Sequence, residues 1–331
     1  MKYDVRADHV GADQCVCPFD EGFMQNIFGF LNINKPINCT SHDVIAMLRK
    51  SLGIKKIGHS GTLDPFATGV LVVGIGDATR LFEYLPRDKV YLAEITFGVG
   101  TDTDDITGKV INRSDYTPSV NETIEKLKQF TGKIKQKPPI FSAININGER
   151  AYKLARENQI STDDLKEREV EIYSITVGAY HGKPLQGIST LDLQIHCSSG
   201  TYIRSIARDL GNVLNTYGTL SKLKRIKIGS KFLIENSISP ELINSSNIAE
   251  HLVVPQNILE LEKLYLDSRQ IDEIVHGREI KISSDFTVTI NKNLQILDNN
   301  DRLIGIGLLT ENYIVKPKKI FLKEKAVILS V

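Results

Sequence analysis

Residues 58–69 read GHSGTLDPFATG. The stretch sets three glycines, one proline and a single carboxylate, Asp64, between an amphipathic helical pattern and the apolar run VLVVGIG. Pro65 confines Asp64 to extended backbone. Gly58, Gly61 and Gly69 allow tight turns and close approach of a ligand. Such a segment continues neither the helix before it nor the strand after it. It therefore predicts a helix–loop–strand unit with one acid held in the loop. On these residues alone, Asp64 is either a turn cap or a group held for chemistry.

The flanks are readable. SHDVIAMLRKSLG, 41–53, places Val44, Ile45, Leu48 and Leu52 on one stripe, with Ser41 as the expected cap, Asp43 in the first turn and Gly53 as the stop. Strands are expected at 25–34, 70–75 and 90–98, and alternation predicts another at 188–197. KPINCTS reads as a turn in which Asn38 tolerates a positive φ. SVNETIEKLKQFTG, 119–132, carries a capping box from Ser119 and Glu122 and a closing Gly132. GERAYKLAREN predicts another short helix. GTYIRSIARDLGNVL, 200–214, has apolar residues at helical spacing, with Thr201 as the expected cap. Arg204 then falls in the first turn, where a cation meets the positive end of the helix dipole. Either it is solvated or it has an anionic partner. Composition shifts near 240–260 to short strand-like segments. NLQILDNNDRLIGIGLL predicts a hairpin turning at Asn299, Asn300 and Asp301.

With 331 residues, 41% hydrophobic and 24% charged, the chain has the material for a soluble globular protein of one large domain and a small one. Four cysteines (Cys15, Cys17, Cys39 and Cys197) make no disulfide framework, and a reducing cytoplasm is expected. Cys15 and Cys17 lack a matching His/Cys pair and read as part of a mobile tail rather than a metal or redox site. MKYDVRADHVGADQ lacks the apolar core of a signal peptide, and the apolar run near 70–75 is too short to span a bilayer. The net charge of +1 announces no polyanionic partner. Three local basic runs, KLKRIKIGSK, VKPKKIFLKEK and GKIKQKPP, do raise phosphate-backbone binding as an expectation, with acids segregated elsewhere. GIG (74–76) and GVG (98–100) lack the spacing of a dinucleotide fingerprint. TDTDDITG would put Ile106 and Arg113 at calcium-ligand positions, so it reads as a solvated acidic turn.

Five blocks together carry a resemblance. NINKPINCTSHDV, GHSGTLDPFATGVLVVGIGDATR, DKVYLAEITFGVGTDTDDITG, PPIFSAININGERAYKLAR and CSSGTYIRSIARDLG occur in this order over roughly residues 26–235. They resemble the motifs of the TruB family of tRNA pseudouridine synthases. The resemblance implies an α+β pseudouridine synthase fold: a mixed, mostly antiparallel sheet with flanking helices and a central RNA cleft. Residues 1–24 show no periodicity and read as an extension without a counterpart in the family pattern. The catalytic domain is expected at 25–250, with a flap at about 138–168 whose weak hydrophobic pattern predicts that it orders on RNA, and a PUA-like RNA-binding domain similar to that of bacterial members at 251–331. The implied activity is isomerisation of uridine-55 in the TΨC loop of tRNA, with base flipping and with neither a metal nor a redox cofactor. It also implies a cytoplasmic monomer that engages the T-arm and needs no guide RNA.

The family's essential aspartate matches Asp64. Attack at C6, attack at C1′ and removal of a C2′ proton stay open, and each needs an ionised carboxylate. Arg204 matches the paired arginine, which is expected to lower the Asp64 pKa. Tyr91 matches the tyrosine that stacks on the target base and is a candidate to take the C5 proton. Leu223 matches an apolar residue packing the uracil, and His59 the histidine that wedges into the T-loop. Asp105 matches an aspartate that holds the active-site network. Tyr202 and Arg225 are expected to touch the pocket or the RNA backbone. Asn38 and Asn145 depart from the family pattern, the latter removing a lysine. The alternative is an RNA-binding folding helper without turnover.

Overall fold

The computed structural model describes residues 27–321 apart from 147, 158, 184–187 and 284–287. The expected N-terminal extension, with Cys15 and Cys17, lies outside the described residues. Along the chain run β1 (Gly29–Lys35), α1 (Ser41–Leu52), β2 (Ile57–His59), β3 (Thr68–Ile75), β4 (Lys89–Phe97), β5 (Val99–Thr101) and β6 (Val110–Arg113). There follow α2 (Val120–Leu127), β7 (Gly132–Gln136), β8 (Asn145–Ile146), β9 (Glu149–Arg150) and α3 (Ala151–Arg156). β10 (Arg168–Lys183), β11 (Ile188–Cys197), α4 (Ile203–Val213), β12 (Gly218–Ile228), β13 (Phe232–Leu233) and β14 (Leu252–Val253) come next. The last strands are β15 (Glu262–Tyr265), β16 (Ile280–Lys281), β17 (Asn293–Leu297), β18 (Leu303–Leu309) and β19 (Ile314–Ile320).

The fold is α+β. A ten-stranded sheet runs β14-β1-β3-β12-β4-β11-β10-β7, with β2 added to β3 and β13 to β12. Its pairs are antiparallel except β3–β12, which is parallel at Thr68–Gly69 against Lys224–Arg225. That parallel join brings the segment after Asp64 against the strand carrying Leu223 and Arg225. α1 covers β1 and β3 with Val44, Ile45, Leu48 and Leu52, the stripe read from the sequence. α4 covers β4, β11 and β12 with Ile203, Ile206, Ala207 and Leu210. The second sheet runs β15-β17-β18-β19-β16, and its β17–β18 hairpin turns where expected. Leu303 and Ile306 join Phe30, Val70 and Leu81 in one core, and Arg80 reaches the Ile320 carbonyl at 3.0 Å, so the second sheet packs on the first.

Helix bodies match their patterns better than the caps do. α1 is capped by Thr40, whose hydroxyl and Asp43 form the capping box, and Gly53 closes it at φ +68°. Ser41 is freed for another task. Ser119 caps α2, but Glu122 accepts from the Tyr116 phenol (2.6 Å), so only half of the expected box forms. Thr201 does not cap α4; its hydroxyl donates to the Ser198 carbonyl at 2.9 Å. Asn38 takes the expected positive φ, +57°.

Gly69 has φ +101°, and a Cβ there would lie 2.2 Å from the Arg225 carbonyl oxygen. The close approach that the sequence reserved for a ligand is made by the chain's own strand. Gly69→Ala combines a left-handed backbone penalty with a clash against backbone, for an expected loss of about 2–4 kcal/mol. Urea unfolding measures it; a loss below about 1 kcal/mol, the ordinary point-mutation value, would contradict this account.

Candidate active site

The Asp64 loop is pinned from below. Leu63 and Phe66 are buried in the core beneath α4. The Leu63 amide donates to the Ser41 hydroxyl at 2.9 Å, and that hydroxyl donates to the Leu63 carbonyl at 3.2 Å. Lys35, fully buried, donates from Nζ to the carbonyls of Pro36 (2.9 Å) and Pro65 (3.3 Å). The Ala67 amide closes a turn onto the Asp64 carbonyl at 3.1 Å. With its neighbours fixed on both sides, the Asp64 side chain keeps 32% of its surface exposed.

Arg204, buried in the first turn of α4, answers the odd placement of a cation at a helix N-terminus. Nη2 donates to Asp64 Oδ1 at 3.2 Å, and Nε lies 3.0 Å from Asp64 Oδ2, outside hydrogen-bond alignment. Nη1 donates to Asp105 Oδ2 (3.2 Å) and the Thr103 carbonyl (3.0 Å), and Nη2 also reaches the Phe141 carbonyl (2.9 Å). The guanidinium thus gathers the Asp64 loop, the TDTDDITG loop and the segment after β7. Tyr202, just before it, is held by Gln136: the Tyr202 amide donates to Gln136 Oε1 (2.7 Å) and Gln136 Nε2 donates to the Tyr202 carbonyl (2.9 Å).

TDTDDITG is not the solvated turn that its composition predicts. Asp105 is buried, and its Oδ1 accepts from Thr103 Oγ1 (2.9 Å), the Thr107 amide (3.0 Å) and Thr107 Oγ1 (2.5 Å). The threonines between the acids supply the donors that make burial tolerable.

Tyr91 on β4 stands opposite Arg225 on β12, and Leu223 opposite Ala93; Tyr91 and Leu223 pack with Leu63 and Phe66, forming the apolar wall beside Asp64. Arg225 is turned inward. It is 1% exposed, with Nε on the Val70 carbonyl (2.7 Å) and Nη2 on the Gly61 carbonyl (3.0 Å). Its guanidinium fastens the loop from behind and lies beside the Tyr91 phenol. His59 is half-buried at the loop's start, with Nδ1 lacking a hydrogen-bond partner among the described residues.

Burial dominates the electrostatics. It pushes the Asp64 carboxyl above the usual carboxylate range; Arg204 opposes the shift and Asp105 reinforces it. The expected lowering by Arg204 is therefore outweighed, because protein atoms crowd the carboxylate although its tip meets solvent. Burial also pushes the Tyr91 phenol up, lowers the His59 imidazole, and brings Lys35 down to about 8. Chemistry that needs ionised Asp64 should gain rate as pH rises through the Asp64 pKa. Its acid limb should therefore lie above the ordinary aspartate value of about 3.9. Single-turnover rates across the acid range test this, and a limb at or below that value would count against it.

Lys35, Ser41, Thr103, Thr107 and Gln136 were not singled out as site residues. Lys35 and the threonines lie within the family blocks, but nothing in their local pattern reveals their partners. The basic runs are also less free than they look. Lys222 pairs with Glu94 (2.7 Å), Lys316 with Glu279 (3.1 Å) and Lys319 with Glu83, so acids lie beside these cations rather than apart. Asn145, where a lysine was expected, accepts from the Gly148 amide at 2.7 Å and closes the β8–β9 turn. A cleft of 770 Å³ between Lys281 and Ile314 lies in the second sheet and contains none of the candidate residues. No helix among the described residues is long and apolar enough to cross a membrane.

Known proteins resemble this chain in sequence and in fold. The TruB family pseudouridylate synthase N-terminal domain matches residues 49–203. The tRNA pseudouridine synthase B of Microcystis aeruginosa is 42% identical over 300 residues, spanning 88% of this chain and 98% of that protein. The protein of the same name from Prochlorococcus marinus subsp. pastoris is 39% identical over 307 residues, spanning 90% of this chain and 98% of its own length. Among solved structures, a Cbf5–Nop10–Gar1 complex aligns with TM-score 0.66 at 23% identity, covering 91% of this chain and 86% of that one. An H/ACA RNP bound to a substrate RNA containing 2′-deoxyuridine aligns with TM-score 0.65 at 21% identity, covering 92% and 87%. At these identities the solved structures establish the fold alone. The sequence matches go further: the chain belongs to the TruB family of pseudouridylate synthases.

Proposed function

We propose that this protein isomerises uridine-55 in the T-arm of tRNA to pseudouridine, acting in the cytoplasm as a monomer without a guide RNA. The observation that carries the reading is the Arg204 fork, which holds Asp64 at the mouth of an apolar wall made by Tyr91 and Leu223. In the reaction the C1′–N1 bond breaks and a C1′–C5 bond forms. The C5 proton leaves to a base and N1 gains one, so atoms and charge balance without redox chemistry. Asp64 is the acid–base or nucleophilic group at the sugar–base junction. Tyr91 stacks on the flipped uracil and, as a neutral phenol beside the Arg225 guanidinium, is placed to relay the C5 proton. Leu223 packs the base, while Asp105 orients Arg204.

Extruding a loop base costs a few kcal/mol. Stacking on one aromatic ring returns about 1–3 kcal/mol. His59, at the loop's entrance, is the second contact: a neutral imidazole can fill the stack that the base vacates. Tyr202, two residues before Arg204, is held by Gln136. The segment 138–168, whose base carbonyl at Phe141 meets Arg204, closes over the RNA.

The test uses purified protein and an unmodified T-arm hairpin, with pseudouridine mapped by carbodiimide labelling and primer extension. A single stop at the loop uridine is expected. Tight binding with no stop would overturn turnover and leave a non-catalytic RNA folding helper.

A further inference from the structure

α4 carries a second arginine one turn beyond Arg204, and the reading above leaves it without a task. Arg208 Nη1 donates to Asp104 Oδ2 at 2.9 Å, Nε to Asp209 Oδ1 at 2.9 Å and Nη2 to the Lys137 carbonyl at 2.8 Å. Ser205, on the same helix, donates to that Lys137 carbonyl at 2.8 Å. Asp104 is a non-glycine residue at φ +61°, in a region that L side chains enter at a cost. Its amide donates to the Thr101 carbonyl at 3.4 Å, and its carbonyl accepts from the Leu220 amide at 3.1 Å. The bend at Asp104 comes immediately before Asp105, the carboxylate that holds Arg204. Two consecutive acids thus meet two arginines one helical turn apart, one pair each.

We propose that Arg208 is a positioning residue: by gripping Asp104 on one side and the Lys137 carbonyl on the other, it keeps the bent loop and the base of the 138–168 segment in register with α4, so that Arg204 meets Asp64. The inference rests on the proposed function. Arg208 is placed against the loop and not against Asp64, so it acts through Arg204. An arginine is required because its planar fork spans three acceptors in different directions, which an ammonium cannot do at once. Without it, the largely buried Asp104 carboxylate has Arg204 as its remaining cation. Arg204 would then be drawn from Asp64. The charged groups facing Asp64 are Arg204 from α4, Asp105 from its loop and Lys35 from β1. Loss of the first leaves burial and Asp105 to push the carboxyl higher.

Arg208→Met and Asp104→Asn in the full chain test this on unmodified tRNA transcript, with single-turnover rate, tRNA affinity by filter binding and melting temperature read together. Misplacing a catalytic group by about 1 Å can cost about a hundredfold, so a fall of about 10- to 100-fold is expected with affinity held within about threefold. The acid limb should move to higher pH in Arg208→Met. It should not rise in Asp104→Asn, which removes the competing charge. Arg208→Lys should restore the limb while recovering only part of the rate. Rates within about twofold of the parent in both variants would overturn the proposal. So would a rate loss that tracks the folded fraction, joined in Arg208→Met by an unmoved acid limb, which marks a purely structural role. Should Arg208→Met fail to fold, the isosteric Asp104→Asn decides. A parent protein that leaves no stop in the T-arm mapping overturns the proposed function itself, a result independent of these variants.

Discussion

Asp64→Asn is expected to abolish turnover, by at least about 10⁴-fold as for removal of an essential catalytic group, while tRNA affinity stays within a few fold. The amide keeps the shape of the carboxylate and its contact with Arg204, but it supplies neither a charge nor a base. The stability sign is opposite to that of an ordinary loss of function. The folded-state pKa of Asp64 is raised by burial. The fold therefore favours the neutral carboxyl, and that contribution is present below the unfolded pKa and lost as pH rises through the folded one. At neutral pH the parent carries the penalty of a crowded carboxylate, and Asn does not. The variant should melt at the same temperature as the parent or higher. Primer-extension mapping and thermal melting are the measurements. An active Asp64→Asn protein would sink the assignment, and a dead protein with a sharply lower melting temperature would mean that the loop had collapsed.

Arg204→Met should fail in both respects. Met keeps the length and fits an apolar surround, but it leaves the Thr103 and Phe141 carbonyls and the Asp64 and Asp105 carboxylates without their shared donor. Breaking a buried ion pair from one side costs about 3–5 kcal/mol, because the remaining charge is stranded. Turnover should fall by about 10²–10³-fold, the scale of losing one preorganised donor. Part of the loss should be recovered by raising pH, since Arg204 is the largest influence holding the Asp64 pKa down. Denaturant titration and pH-resolved single-turnover rates decide the matter. A variant with the parent's midpoint and rate would show that Asp64 needs no cation.

The helix-initial arginine was legible because it violated a local rule. A cation at the positive end of a helix dipole asks for an anion, and Asp64 and Asp105 provide two. The stripes of α1 and α4 were legible because periodicity of 3.6 is local. The cap of α1 slipped by one residue because Thr40 and Ser41 are chemically equivalent candidates. Only the packing of Leu63 against Ser41 assigns one to the helix and the other to the loop. The partners of Arg225 are hidden for a related reason. In KLKRIKIGSK it looks like one cation of a surface run, yet strand alternation turns it inward to the carbonyls of Val70 and Gly61.

Short-range order along the chain therefore carries the blocks, the Asp64 loop, the helix bodies and the polarity of the site. It does not carry which groups meet. Arg204 and Asp64 are 140 residues apart, and Arg208 and Asp104 are 104 apart. Nor does it carry the direction of the Asp64 pKa, because desolvation sums over every atom packed around the carboxylate, whereas a motif names only its nearest charge.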